Sequence, residues 1–230
     1  MKLIILLFLL PLTLMGQHLI NEDYKKLNLE DGEYVDYWKS GKPKVKVTIK
    51  DYNINGFYLS HHKNGQVFDS AYFENGRING IHKKFDDKGN LIVEVIFRLD
   101  TLLSYHEFWY KKGILTSERL LIVNENELEI PNYQKVSSTN KNIFYSPKHT
   151  VLLLKTTGNS ISYHKNGQID TKEPLINNIA NGKSFTYYEN GEIAIEYNRL
   201  SGNFDGEMIY YESNGKVWKK ELWESGKQIN

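Results

Sequence analysis

The chain has 230 residues, 40% of them hydrophobic and 25% charged, with a net charge of +1. That composition is globular, and its balanced charge excludes the basic stripe that a nucleic-acid backbone requires. The absence of cysteine removes disulfides, cysteine–zinc sites and thiolate catalysis.

The first element in chain order is a leader. Lys2 supplies a positive start, Leu3–Leu10 is an unbroken apolar run, Pro11 breaks it, and Gly16 precedes Gln17. This pattern predicts a secretory signal peptide over residues 1–16, and so a periplasmic or secreted protein with no membrane span after cleavage. Residues 17–31 are polar and read as an N-terminal cap.

A repeat follows. Gly41, Gly65, Gly89 and Gly113 lie 24 residues apart, and Gly167, Gly191 and Gly215 keep the same spacing. Seven units emerge, four over residues 32–123 and three over residues 158–230. Six of the seven begin with glycine, Ser104 being the exception. Four residues before each turn glycine stand Tyr37, His61, Phe85, Trp109, Tyr163, Tyr187 and Tyr211. Two residues after it stand Pro43, Val67, Leu91, Leu115, Ile169, Ile193 and Val217.

Within a unit, apolar residues alternate before the glycine, as in Ile161 and Tyr163 or Ile209 and Tyr211, which predicts a strand with one apolar face. Asn64-Gly65, Asn166-Gly167, Asn190-Gly191 and Asn214-Gly215 then predict type I′ turns. A second turn cluster, as in Glu74–Gly80 and Ser201–Gly206, closes each unit. The fold class is therefore all-β: an elongated array of about seven 24-residue antiparallel β-hairpins forming one long twisted sheet. Between the two blocks, residues 124–157 break the period and read as a degenerate unit or a connector, with Val151–Leu154 a candidate strand.

The stretch Gly182–Val217 resembles the MORN repeat variant, whose unit is an aromatic-rich strand, a Tyr-x-Asn-Gly turn and a following Asn-Gly-x-x-Asp-Gly turn. The same unit builds the YwqK-type antitoxins of bacterial toxin–antitoxin systems. The resemblance covers about residues 32–118 and 158–230. It implies a hairpin array with a role in protein or surface interaction, and it brings no catalytic residues.

The residues themselves point away from chemistry. The seven histidines form no HExxH or comparable ligand spacing, and no nucleophile elbow or phosphate loop is present. His82 and His106 share a repeat position, which allows a weak metal ladder or two separately packed imidazoles. No cofactor, metal or catalytic residue is expected. The column just after the aromatic one holds Trp38, His62, Asp86, Tyr110, His164, Tyr188 and Glu212. By strand alternation its five rings (Trp38, His62, Tyr110, His164 and Tyr188) face away from the apolar side. They form either a docking row for a partner or cross-strand packing that holds a thin sheet together. Two functions fit: a scaffold binding another protein, with antitoxin-like neutralisation as one version, or a module binding envelope polysaccharide.

Overall fold

The computed structural model describes residues 2–3, 27–124 and 156–229. Every regular element among them is a β-strand. The expected signal cleavage site, residues 17–26 of the 17–31 cap, most of the connector and the Val151–Leu154 strand lie outside the described residues. The chain divides into two compact units, the first of Met1–Tyr105 with Glu125–Leu153, the second of His106–Asn124 with Leu154–Asn230.

In the first unit the strands are β1 (Lys2–Leu3), β2 (Gly32–Tyr37), β3 (Pro43–Lys50), β4 (Asn53–His61), β5 (Val67–Glu74), β6 (Arg77–Ile78), β7 (Gly80–Phe85) and β8 (Leu91–Arg98). From β2 to β5 each strand pairs antiparallel with the next, β6 and β7 both pair antiparallel with β5, the latter at Asp69↔Lys84 and Ser70↔Lys83, and β7 pairs antiparallel with β8. β1 lies parallel to β2, with Lys2 opposite Tyr34. β9 (Thr101–Lys111) begins in this unit and ends in the second.

The second unit continues with β10 (Ile114–Val123), β11 (Thr156–Tyr163), β12 (Ile169–Ile176), β13 (Ile179–Ala180), β14 (Gly182–Tyr187), β15 (Ile193–Leu200), β16 (Asn203–Phe204), β17 (Gly206–Tyr211), β18 (Val217–Glu224) and β19 (Lys227–Gln228). The same meander recurs, with β12 also joined to β14 and β15 to β17. The expected all-β hairpin array is thus what each unit contains.

The turns correct one expectation. In the four turns of Asn64-Gly65, Asn166-Gly167, Asn190-Gly191 and Asn214-Gly215 only the glycine has positive φ, at 95° in Gly65 and 86° in Gly167. Their asparagines do not, so these are not type I′ turns. His62 N–H donates to Gln66 O at 2.8 Å and Gly65 N–H to His62 O at 2.9 Å, closing a three-residue loop with a glycine bulge. The asparagine serves through its side chain instead: Asn64 Oδ1 accepts from Gln66 N–H at 3.0 Å, while its amide donates to Asp87 O of the next hairpin at 2.6 Å.

The paired positive-φ residues sit at the opposite end of the hairpins: Asp51-Tyr52 (49° and 61°), Asn75-Gly76 (49° and 81°), Leu99-Asp100 (44° and 72°) and Ser201-Gly202 (51° and 86°). These two-residue loops are the type I′ turns, whose hand matches the twist of the strands they join. They also fasten each hairpin to the one before it. Gly76 N–H reaches Ile54 O, and Gly202 N–H reaches Ala180 O, each at 2.9 Å.

A second correction concerns Gly113. It keeps the 24-residue spacing, but with Lys112 (53°) it forms a two-residue turn between β9 and β10. The fourth hairpin therefore lacks the bulged loop of the others, and the period breaks at that point.

One face of the first unit is a continuous apolar core. Val45, Val47, Ile49, Ile54, Tyr58, Ala71, Phe73, Ile78, Val93, Val95 and Phe97 are all buried. Alternation puts them on one side of consecutive strands, and each large side chain contributes about 1.5–3 kcal/mol of transfer free energy. The matching face of the second unit buries far fewer, among them Leu175, Tyr197 and Met208.

Candidate functional site

The ring column does not stand where alternation places it. β2, β4, β11 and β14 end at Tyr37, His61, Tyr163 and Tyr187, so Trp38, His62, His164 and Tyr188 are one residue beyond their strands. Freed from the pleat, each turns toward the next hairpin. Trp38 Nε1–H donates to His61 O at 3.2 Å, and His62 Nε2 meets Phe85 O at 2.9 Å. His164 Nε2 meets Tyr187 O at 2.7 Å, and Tyr188 OH donates to Tyr211 O at 2.6 Å. All four are half-buried. Tyr110 differs, lying half-buried inside β9 near the end of that strand. His82 and His106 are held separately, His82 by Asp69 and His106 by Glu118 at 3.2 Å.

A different surface separates the two units in chemistry. Six residues after the turn glycine the first unit has Val47, Ala71 and Val95, while the second has Glu173, Tyr197 and Glu221. Eight residues after it stand Ile49, Phe73 and Phe97 in the first unit, against Leu175, Arg199 and Trp223 in the second. The same columns that build a dry core in one unit thus carry aromatic and charged groups in the other.

Those groups interlock. Arg199 Nε donates to Glu173 Oε1 at 3.2 Å, and Tyr197 OH donates to the same oxygen at 3.1 Å. The Arg199 guanidinium lies 3.9 Å from the centre of the Phe204 ring, which packs against Tyr197 at 5.4 Å and Trp223 at 5.3 Å. Trp223 Nε1–H and Tyr210 OH both donate to Glu221 Oε2, at 3.0 and 2.9 Å. Lys219 pairs with the other oxygen of Glu221 at 2.6 Å. A bulge sets Lys219, not Trp218, opposite Tyr210, and the extra residue Trp218 packs on Tyr210 at 5.6 Å while remaining 58% exposed.

The electrostatics follow from these contacts. Hydrogen bonds from Lys219, then from Tyr210, hold the Glu221 carboxyl below its ordinary range. Burial, and then Glu173, push the Tyr197 hydroxyl up. In the neighbouring hairpin, burial and the Glu118 carboxylate raise Tyr163 from 10.0 to about 12. A raised tyrosine keeps its proton better when folded, so its contribution is complete below pH 10.0 and lost as pH rises toward about 12. Thermal melts between about pH 9 and pH 12 are expected to show falling stability, and Tyr163→Phe with Tyr197→Phe to flatten that fall. An unchanged slope in the double variant would refute this account.

The first unit holds a second polar group of note, buried within its core. Asp69, on β5, is 0% exposed, and its carboxylate meets His82 Nε2 and lies 3.8 Å from the Lys84 ammonium. Ser60 stands opposite Asp69 across β4 and β5. Among the described residues no group of three or more histidine, cysteine or carboxylate side chains has the geometry to hold a metal ion. No described helix is long and apolar enough to cross a membrane.

The architecture of bulged Asn-Gly loops, type I′ closures and rings reaching the next hairpin recurs in both units. The MORN repeat variant family matches residues 30–51, 180–199 and 204–225. The chain carries MORN-variant repeats. The matched segments cover β2 with β3, β14 with β15, and β17 with β18, together with parts of the turns that close them. The hairpins of Gly65 and Gly89 keep the same loop geometry outside the matched segments. MORN repeats are, as a class, non-catalytic modules of protein or membrane interaction. No curated protein matches the chain.

Proposed function

We propose that this MORN-variant chain is an exported, non-enzymatic scaffold that binds another protein through the polar–aromatic face of its second unit. The observation that carries the reading is the column change: Val, Ala, Ile and Phe in the first unit give way to Tyr197, Arg199, Glu221 and Trp223 in the second. Tyrosine, tryptophan and arginine are the side chains that dominate binding energy at protein interfaces. Tyr197 and Glu221 are themselves buried, and with Glu173 and Phe204 they hold the more accessible Arg199 and Trp223 in place, which lowers the entropy lost on docking. The leader over residues 1–16 supports export, and a partner neutralised antitoxin-fashion would be one met outside the cytoplasm.

The test is capture from envelope extract on immobilised protein. One partner in stoichiometric amount is expected, with Arg199→Ala and Trp218→Ala each weakening capture by about tenfold or more. His62→Ala and His164→Ala, which alter hairpin fastening, are expected to lower stability more than capture. Retention on peptidoglycan or another envelope polysaccharide, with no protein captured, would favour the carbohydrate reading and overturn this one. In that case the half-buried rings of Trp38, Tyr110 and Tyr188 become the residues to test.

A further inference from the structure

Eight asparagines of the chain precede a glycine. In that dipeptide the asparagine amide is readily lost as ammonia, because glycine has no Cβ to shield its backbone nitrogen. Four of the eight, Asn64, Asn166, Asn190 and Asn214, occupy the same place in the bulged loops, and all four are exposed. The glycine that follows has φ between 83° and 95° in each loop, and its N–H donates to His62 O, His164 O, Tyr188 O or Glu212 O at 2.8–3.0 Å. Each asparagine Oδ1 accepts from the N–H two residues on, at 2.9–3.1 Å. Backbone conformation, access to water and the attacking nitrogen are thus matched across the four loops.

The amide nitrogen separates them. Asn64 Nδ2 donates to Asp87 O at 2.6 Å and Asn166 Nδ2 to Glu189 O at 2.7 Å, each on the next hairpin. Asn214 Nδ2 turns back to Glu212 Oε2 at 3.1 Å. Among the described residues nothing accepts from Asn190 Nδ2, and the side chain is held through Oδ1 alone. An amide anchored by its nitrogen must break that bond before its carbon swings to the glycine nitrogen. Asn190 has no such bond to break.

We propose that Asn190 is a site of spontaneous covalent modification, the bulged loop at which the folded protein deamidates first. The Gly191 backbone nitrogen attacks Asn190 Cγ, the Cγ–Nδ2 bond breaks, and the amide leaves as ammonia with the proton that Gly191 gives up. Solvent water then opens the cyclic imide at either carbonyl, leaving aspartate or, with the chain rerouted through Cγ, isoaspartate. Flanking sequence does not favour this position. The carboxylates of Glu189 and Glu192 oppose loss of the Gly191 proton, whereas Lys63 and Lys165 precede Asn64 and Asn166. The preference therefore belongs to the fold.

Isoaspartate puts an extra backbone carbon into a loop closed by Tyr188 N–H to Glu192 O at 2.8 Å and Gly191 N–H to Tyr188 O at 2.9 Å. Tyr188 also fastens this hairpin to the next through its hydroxyl on Tyr211 O. The modified loop loses its closure, and the joint between β15 and β17 loses a fastening. β15 carries Tyr197 and Arg199, so the lesion falls on a hairpin of the proposed docking face, although the modification itself does not depend on that reading.

Incubating the folded protein at mildly alkaline pH, with peptide mapping by mass spectrometry at intervals, tests this. Asn190 is expected to convert about fivefold faster than Asn64 or Asn166, the factor that one hydrogen bond supplies. In guanidinium that unfolds the chain, this lead is expected to vanish. Amide exchange of Tyr188 and Glu192 is expected to quicken in the isoaspartate fraction. Asn64 or Asn166 converting as fast as Asn190 in the folded protein would overturn the proposal. So would a lead of Asn190 that persists in guanidinium, since the preference would then belong to the local sequence.

Discussion

Replacing Gly158 with alanine is expected to destabilise the protein by roughly 3–5 kcal/mol, as a shift of the urea midpoint to lower concentration. Gly158 lies in β11 opposite Leu121 of β10. A Cβ built on it would stand 1.8 Å from Leu120 O and 2.8 Å from the carbonyl carbon. Both are backbone atoms inside a seven-pair ladder, so no rotamer change relieves the clash and the strands themselves must part. The need for glycine here is close approach, because Gly158 is not among the positive-φ residues. Gly113→Ala is the control. Gly113 has φ of 79° and open space around its missing Cβ, so only conformational strain of roughly 1–2 kcal/mol is expected. A Gly158→Ala loss no larger than that of Gly113→Ala would show that β10 and β11 are not packed this closely.

Much of the fold was legible because a 24-residue glycine period and aromatic alternation are direct consequences of a stacked hairpin. What sequence left open was which turn is which. Asn-Gly suits both a type I′ turn and a bulged loop, since each needs glycine at a left-handed position. Loop length decides between them, and loop length depends on where the strands end. At His62 the strand has ended one residue earlier, and that single residue exchanged the two turn types. The same shift removed His62, His164, Tyr188 and Trp38 from the alternation that had turned them outward.

The polar–aromatic face was missed for a different reason. Reading the repeat rewards columns that agree, whereas Glu173, Arg199 and Glu221 are departures from columns that elsewhere are apolar. Departures within a strongly periodic chain mark the positions where local consistency yields to another demand. A tabulation of apolar columns by unit would have found them, and would also have found Asp69 between Val45 and Val93.

Asp69 carries the second large effect. Asp69→Val is expected to cost about 3–5 kcal/mol at neutral pH, although Val45 and Val93 fill the same repeat position. Valine nearly conserves the volume, so the cost is electrostatic. It strips a buried carboxylate from Lys84, whose ammonium is also buried and is pushed below its ordinary pKa first by burial, against the opposing pull of Asp69. Without that carboxylate the Lys84 pKa falls further. Folding then releases a proton wherever pH lies between the folded pKa and the ordinary lysine value of 10.5. The unfolded chain binds more protons in that window, so stability of the variant rises with pH and its deficit shrinks toward alkaline conditions. A cavity or misfit would give a deficit independent of pH. Pairing Asp69→Val with Lys84→Met is expected to recover part of the loss, because it removes the uncompensated lysine charge while the buried His82 still lacks the carboxylate it meets. Urea unfolding of the two single variants and the double variant at about pH 7 and about pH 10 measures all three terms; a double variant no more stable than Asp69→Val would refute the coupling.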